Sequence, residues 1–235
     1  MPHTSNVLTE KPLLSICMQI CYIIAMLIKV CGLFRDEDID FANESQINYA
    51  GFVFAKSPRQ VSAPLAQYLR FRLADGIIPV GVFVNAPIAS ITELYHNGVI
   101  SIAQLHGDED EGYIAQLKKL SAANIRQTAI PPIKVIKTLF FGSETFNSQL
   151  KKLSNIVDYF LIDSGAGSGK TFDWKQLDAV KLSKPWFLAG GINISNIKQA
   201  MKLNPFAIDV SSGAETDGIK DRKKILELTE TLRQG

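Results

Sequence analysis

The chain has 235 residues, 46% of them hydrophobic and 20% charged, so it can bury a sizeable core as one globular domain, and intrinsic disorder is excluded. A net charge of +2 and a pI near 8.3, with no run of Lys and Arg interleaved with aromatics, exclude nucleic acid as the expected partner. The three cysteines follow neither the spacing of a disulfide scaffold nor that of a zinc site, so a reducing cytoplasm and no metal are expected.

The apolar run from Leu13 to Ile28 comes first. It is shorter than the roughly 20 apolar residues a membrane span needs, is interrupted by Ser15 and Gln19, and lacks a small-residue cleavage site. Neither a membrane association nor secretion is expected. Residues 1–25 read as an N-terminal extension dispensable for folding, with Cys17 and Cys21 as small apolar residues in it, and residues 26–235 as the domain proper. Leu27 to Cys31 then reads as a strand whose alternation puts Lys29 and Cys31 on one face; Gly32 stops it and Asp36 is expected to cap the next helix.

Further strands are expected at Tyr49 to Phe54, Pro79 to Val84, Ile100 to Leu105, Lys134 to Leu139, Tyr159 to Asp163, Trp186 to Ala189 and Ala207 to Val210. Helix-length segments lie between them, among them Ile88 to His96, Glu109 to Leu120, Gln149 to Val157 and Ile194 to Leu203. Strict alternation implies a parallel sheet, and eight strand–helix units predict a closed (β/α)₈ barrel, the TIM-barrel class of α/β fold, as a single domain.

Working residues of such barrels sit where strands end. Here those positions hold Cys31, Ser57-Pro58-Arg59, Asn85, His106-Gly107-Asp108, Asp163-Ser164, Gly190-Gly191 and Ser211-Ser212-Gly213. The last two loops are rich in glycine and are expected to open onto helix starts, where backbone N–H groups and a helix dipole favour an anion, so a small phosphorylated molecule is the expected ligand. Ser164 to Thr171 comes one residue short of a P-loop, with serine in place of the first glycine; Phe172-Asp173-Trp174 follows with Asp173 as the better helix cap, so a glycine-rich flap is the preferred reading.

The motifs Lys29-Val30-Cys31-Gly32-Leu33, Gly51-Phe52-Val53-Phe54 with Ser57-Pro58-Arg59, Gln104-Leu105-His106-Gly107, Asp163-Ser164, Leu188-Ala189-Gly190-Gly191 and Asp209-Val210-Ser211-Ser212-Gly213 recur in order along the chain. In these the chain resembles the phosphoribosylanthranilate isomerase family of tryptophan biosynthesis, from Met26 almost to the end, apart from Phe34, where the family more often has a polar residue. The resemblance implies a cofactor-free Amadori rearrangement of N-(5'-phosphoribosyl)anthranilate, with Arg59 on the substrate carboxylate.

The chemistry needs one acid for the ring oxygen and one base for the C2 proton. Asp163, ending an apolar strand, suits the acid, and Cys31, helped toward thiolate by Lys29 or a helix start, suits the base. Gly190, Gly191, Ser211, Ser212 and Gly213 are expected to hold the phosphate. His106 either orients substrate or satisfies a backbone carbonyl, and Asp209 is expected to point inward and pair with Lys29 as a structural contact. A monomer or homodimer is expected. Another sugar-phosphate isomerase or epimerase, or a non-catalytic phosphate-binding barrel, stands as the alternative.

Overall fold

The computed structural model describes residues 26–125, 128–163, 176, 177, 180 and 182–234. The extension, with Cys17 and Cys21, and the segment from Ser164 to Trp174 lie outside the described residues. In chain order the elements are β1 (Leu27–Cys31), α1 (Asp36–Glu44), β2 (Tyr49–Val53), α2 (Ala63–Arg72), β3 (Ile78–Phe83), α3 (Ile88–His96), β4 (Ile102–Leu105) and α4 (Glu111–Ser121). A short hairpin, β5 (Ala123–Ile125) and β6 (Thr128–Ile130), precedes β7 (Lys134–Phe140), α5 (Phe146–Leu153), β8 (Tyr159–Asp163) and β9 (Trp186–Ala189). The chain continues with α6 (Ile197–Met201), β10 (Ala207–Val210), a second hairpin of β11 (Glu215–Thr216) and β12 (Ile219–Lys220), and α7 (Arg222–Gln234).

Eight of these strands close into a parallel barrel in the order β1-β10-β9-β8-β7-β4-β3-β2, so the expected (β/α)₈ architecture is present. Valine, isoleucine and leucine make the strands buried on both faces, as parallel strands covered by helices must be. Outward residues such as Val30, Phe52, Ala103, Val135, Phe160 and Ile208 pack against the helices. Inward residues Tyr49, Val80, Ile102, Ile136, Leu161, Phe187 and Ala207 fill the barrel. The N-terminal mouth is plugged by rings: Tyr49 and Phe187 meet edge to face at 5.3 Å, and Tyr159 lies 5.7 Å from Phe187 and 5.5 Å from Phe206.

Asp36 does not cap α1. Arg35 is the N-cap residue, and the buried Asp38 carboxylate takes the backbone N–H groups of Phe34 and Arg35 at 3.0 and 3.1 Å as well as the Arg35 guanidinium. Asp36 begins the helix and faces outward instead, accepting from Tyr68 and Arg72 of α2. A carboxylate one turn into the helix reaches back to the open N–H groups better than one at its first residue.

Candidate active site

Strand register brings the polar residues of the sequence to one end of the barrel. Cys31, Gln104, His106, Asp163, Asp209, Ser211 and Ser212 line a single cleft of about 450 Å³ at the C-terminal mouth, together with Ala189, Gly190 and Gly191. Lys29 pairs in register with Asp209 across β1 and β10, and its fully buried Nζ donates to Asp209 Oδ1 at 2.8 Å, as the alternation implied. Asp209 also faces the cleft.

Cys31 is paired in register with Gly51 on β2. A methyl group added at Gly51 would come within 2.9 Å of Cys31 Sγ, so the missing side chain makes room for the thiol. Burial pushes the Cys31 thiol above its ordinary pKa; the Lys29 ammonium pulls it back but does not overcome the loss of water. Lys29 is raised: burial opposes its charge, yet Asp209 and the Cys31 sulfur outweigh burial. The expected push toward thiolate therefore exists, and it is smaller than the desolvation that opposes it. Gly32, at φ +84°, ends β1, and its N–H and that of Leu33 both donate to Gly51 O; α1 begins only at Asp36.

Among the described residues the His106 ring bonds to no backbone carbonyl. Its Nδ1 meets Thr138 Oγ1 at 3.0 Å and Gln104 Nε2 at 3.2 Å, and with the amide donating to Nδ1 the other nitrogen carries the proton. Nε2 then lies 3.9 Å from Asp163 Oδ2. Burial lowers the His106 pKa and outweighs the carboxylates of Asp163 and Asp209, which keeps the ring neutral at physiological pH. The loop carrying His106 is fastened from behind: buried Lys137 donates to Gly107 O at 2.6 Å and to Glu109 Oε2 at 3.1 Å, while Glu109 Oε1 accepts from Asn85 N at 2.7 Å.

The two glycine loops meet. Gly190 and Gly191 have φ of 97° and 66°, which only glycine adopts without strain. Gly213 does not line the cleft; it backs onto the other loop, where any Cβ would overlap the Ile192 carbonyl oxygen. The expectation that both loops open onto helix starts is corrected: α6 begins only at Ile197, and Ser212–Ala214 is a three-residue 3₁₀ turn. Backbone N–H groups, rather than a long helix dipole, are what these loops offer an anion.

Arg59 stands beside the cleft, not in its lining. Its stem lies over Gly32, and its Nε and Nη2 donate to Glu215 Oε1 and Oε2 at 2.6 and 2.5 Å. Lys220 Nζ donates to the same Glu215 carboxylate and, at 3.2 Å, to Ser211 O. Glu215 and Lys220 escaped the sequence reading, and Gln104 entered it only as part of a motif, with no role of its own. Two signals were available: Gln104 is a polar residue in a buried strand, on the face of His106 by alternation, and Asp217-Gly218 is a two-residue hairpin turn that sets Glu215 opposite Lys220.

Residues 28–231 match the family described as N-(5'phosphoribosyl)anthranilate (PRA) isomerase. The N-(5'-phosphoribosyl)anthranilate isomerase of Endomicrobium trichonymphae is 41% identical over 207 residues, covering 88% of this chain and 98% of its own. The crystal structure of the phosphoribosyl anthranilate isomerase of Thermotoga maritima superposes with a TM-score of 0.76 at 30% identity, over 89% of this chain and 99% of that one. A phosphoribosyl anthranilate isomerase crystallised in complex with reduced 1-(o-carboxyphenylamino)-1-deoxyribulose 5-phosphate gives a TM-score of 0.73 at 28% identity over the same shares. With the barrel, the cleft and the match running through nearly all of the described residues, the chain belongs to the N-(5'-phosphoribosyl)anthranilate isomerase family.

Proposed function

We propose that this protein catalyses the Amadori rearrangement of N-(5'-phosphoribosyl)anthranilate to 1-(2-carboxyphenylamino)-1-deoxyribulose 5-phosphate, a step of tryptophan biosynthesis, with Asp163 as general acid and Cys31 as general base. The observation that carries the assignment of roles is their position: the two residues end strands β1 and β8 and line the same cleft, with the glycine loops between them. The phosphate goes to the backbone of Gly190 and Gly191 and to Ser211 and Ser212, and the aryl carboxylate to Arg59.

Asp163 gives its proton to the ring oxygen as the C1–O bond breaks and the amine lone pair forms the C1=N iminium. Cys31, as thiolate, takes the C2 proton, and that electron pair becomes the C1=C2 bond of the enolamine while the iminium nitrogen is neutralised. Protonation at C1 and loss of the C2 hydroxyl proton then give the ketone. No electrons enter or leave, so the residues suffice without a cofactor. Lys29 stabilises the thiolate and Asp209 holds Lys29. His106, neutral, with Nε2–H directed at the cleft, is suited to a sugar hydroxyl or to Asp163. One chain carries all of these residues, so the reading holds for a monomer or a homodimer.

No helix among the described residues is long and apolar enough to cross a membrane, and a cytoplasmic location accords with that and with the free Cys31. The test is to generate N-(5'-phosphoribosyl)anthranilate in situ from anthranilate and follow loss of its fluorescence. Saturable turnover that disappears in Cys31→Ser is expected; an unchanged fluorescence trace with the wild-type protein ends the proposal.

A further inference from the structure

Glu215 sits on a two-stranded hairpin outside the barrel, is buried, and binds Arg59 from one side and Lys220 from the other. We propose that Glu215 is a positioning residue for the substrate's aryl carboxylate: it fixes the Arg59 guanidinium with its outer edge ready for that group. The inference rests on the reading of Arg59 as the carboxylate-binding residue.

A free arginine side chain samples many rotamers, and a ligand that uses it must supply the ordering. Here that ordering is already done. The Arg59 stem is laid over Gly32, next to Cys31, and the Nε and Nη2 edge is clamped by both oxygens of Glu215. Nη1 makes no hydrogen bond to the described residues, and the guanidinium is close enough to Cys31 for their charges to interact. A guanidinium held along one edge presents the other in a fixed plane, the geometry a planar benzoate needs.

The charges fit the same role. One carboxylate between two cations leaves the cluster of Arg59, Lys220 and Glu215 with one net positive charge, which one substrate carboxylate neutralises. Lys220 is the further link, since it also donates to Ser211 O in the phosphate loop. Glu215 thus connects the grips on the two ends of the substrate, through Arg59 on one side and Lys220 on the other.

The test compares two substrates made in situ, N-(5'-phosphoribosyl)anthranilate and the analogue without a carboxylate, N-(5'-phosphoribosyl)aniline, on the full-length protein. Arg59→Gln is expected to raise KM for the first by roughly 100-fold relative to the second. Glu215→Gln is expected to raise that same KM ratio by about tenfold with kcat within about threefold, and the double variant to be no worse than Arg59→Gln alone. Glu215→Asp, which keeps the charge but shortens the clamp, is expected to fall between wild type and Glu215→Gln. If Arg59→Gln does not discriminate the substrates, the reading of Arg59 fails and the proposal with it. If Arg59→Gln discriminates while Glu215→Gln lowers KM, leaves the ratio unchanged or impairs both substrates equally, Arg59 stands and the positioning role of Glu215 is overturned. Aggregation of both Glu215 variants likewise overturns it in favour of a structural role.

Discussion

The two ends of the barrel interior are filled on opposite principles. At the N-terminal mouth Tyr49, Tyr159, Phe187 and Phe206 close the core ring against ring, and burial beside Tyr159 pushes the Tyr49 hydroxyl up to about 12. At the C-terminal mouth β1, β4, β8 and β10, with the residue after β4, carry Lys29, Cys31, Gln104, His106, Asp163 and Asp209, polar groups that lose hydration as they are buried. The aromatic end contributes stability and no chemistry. The polar end costs stability and moves the pKa values of Lys29, Cys31 and His106 away from their ordinary values, as catalytic sites commonly do. On β8 a single strand supplies both, because its inward positions run from Tyr159 at one mouth to Asp163 at the other.

The sharpest way to break this comparison is at Cys31. Cys31→Ser is expected to lower kcat by roughly 10²-fold or more with little change in KM, since an alcohol is too weak a base, and Asp163→Asn by a similar factor. Thermal melting of both is expected to stay near wild type. A near-normal kcat in Cys31→Ser would move the base elsewhere. Phe187→Ala is the converse: it is expected to cost about 3–5 kcal/mol in denaturant titrations while kcat at a permissive temperature changes only a few-fold. A large kcat loss there would mean that the two ends are coupled.

The pH dependence sharpens the contrast. Because burial outweighs Lys29 at Cys31, the rise with pH of the alkylation rate at Cys31, which reports the thiolate alone, is expected to be centred above the ordinary thiol range. Lys29→Met removes the lowering influence and is expected to move that rise further upward; a rise centred below the ordinary range would contradict the balance described. Glu215 gives a smaller effect on stability. Burial opposes its charge, but Arg59 and Lys220 hold the carboxyl below its ordinary value, so its contribution is complete above the unfolded pKa and is lost as pH falls through the folded one. Melting scans of Glu215→Gln from pH 7 downward are expected to be flatter than wild type over that acid range. The smallest effect is expected from a chain beginning at Met26, whose melting and turnover are expected to match the full length; aggregation or lost activity would make residues 1–25 part of the fold.

Much of the architecture was legible because parallel strands must be apolar on both faces. Leu27–Cys31, Tyr159–Asp163, Trp186–Ala189 and Ala207–Val210 stand where their runs of apolar residues place them. The helices were less legible: α5 starts at Phe146, three residues before its periodic segment, and α6 spans only Ile197–Met201, because turns on Asn193 and Asn196 consume the residues before it. Cys31, Asp209 and the glycine loops could be placed by alternation and by strand ends. Arg59 with Glu215 could not, since those side chains are 156 residues apart and meet only because β1 closes the barrel between β2 and β10. Buried pairs such as Lys137 with Glu109 were hidden likewise, since neither residue alone points to its partner.

Gly213 bears on how this end of the molecule tolerates change. It seats the turn after β10 directly on the Ile192 carbonyl of the loop after β9, with no room for a single added carbon. The loops after two successive strands are therefore one contiguous wall, spaced by atomic radii instead of by an adjustable side chain. Lengthening or shifting one of them would displace its neighbour by the same amount, so the pair must vary together or not at all.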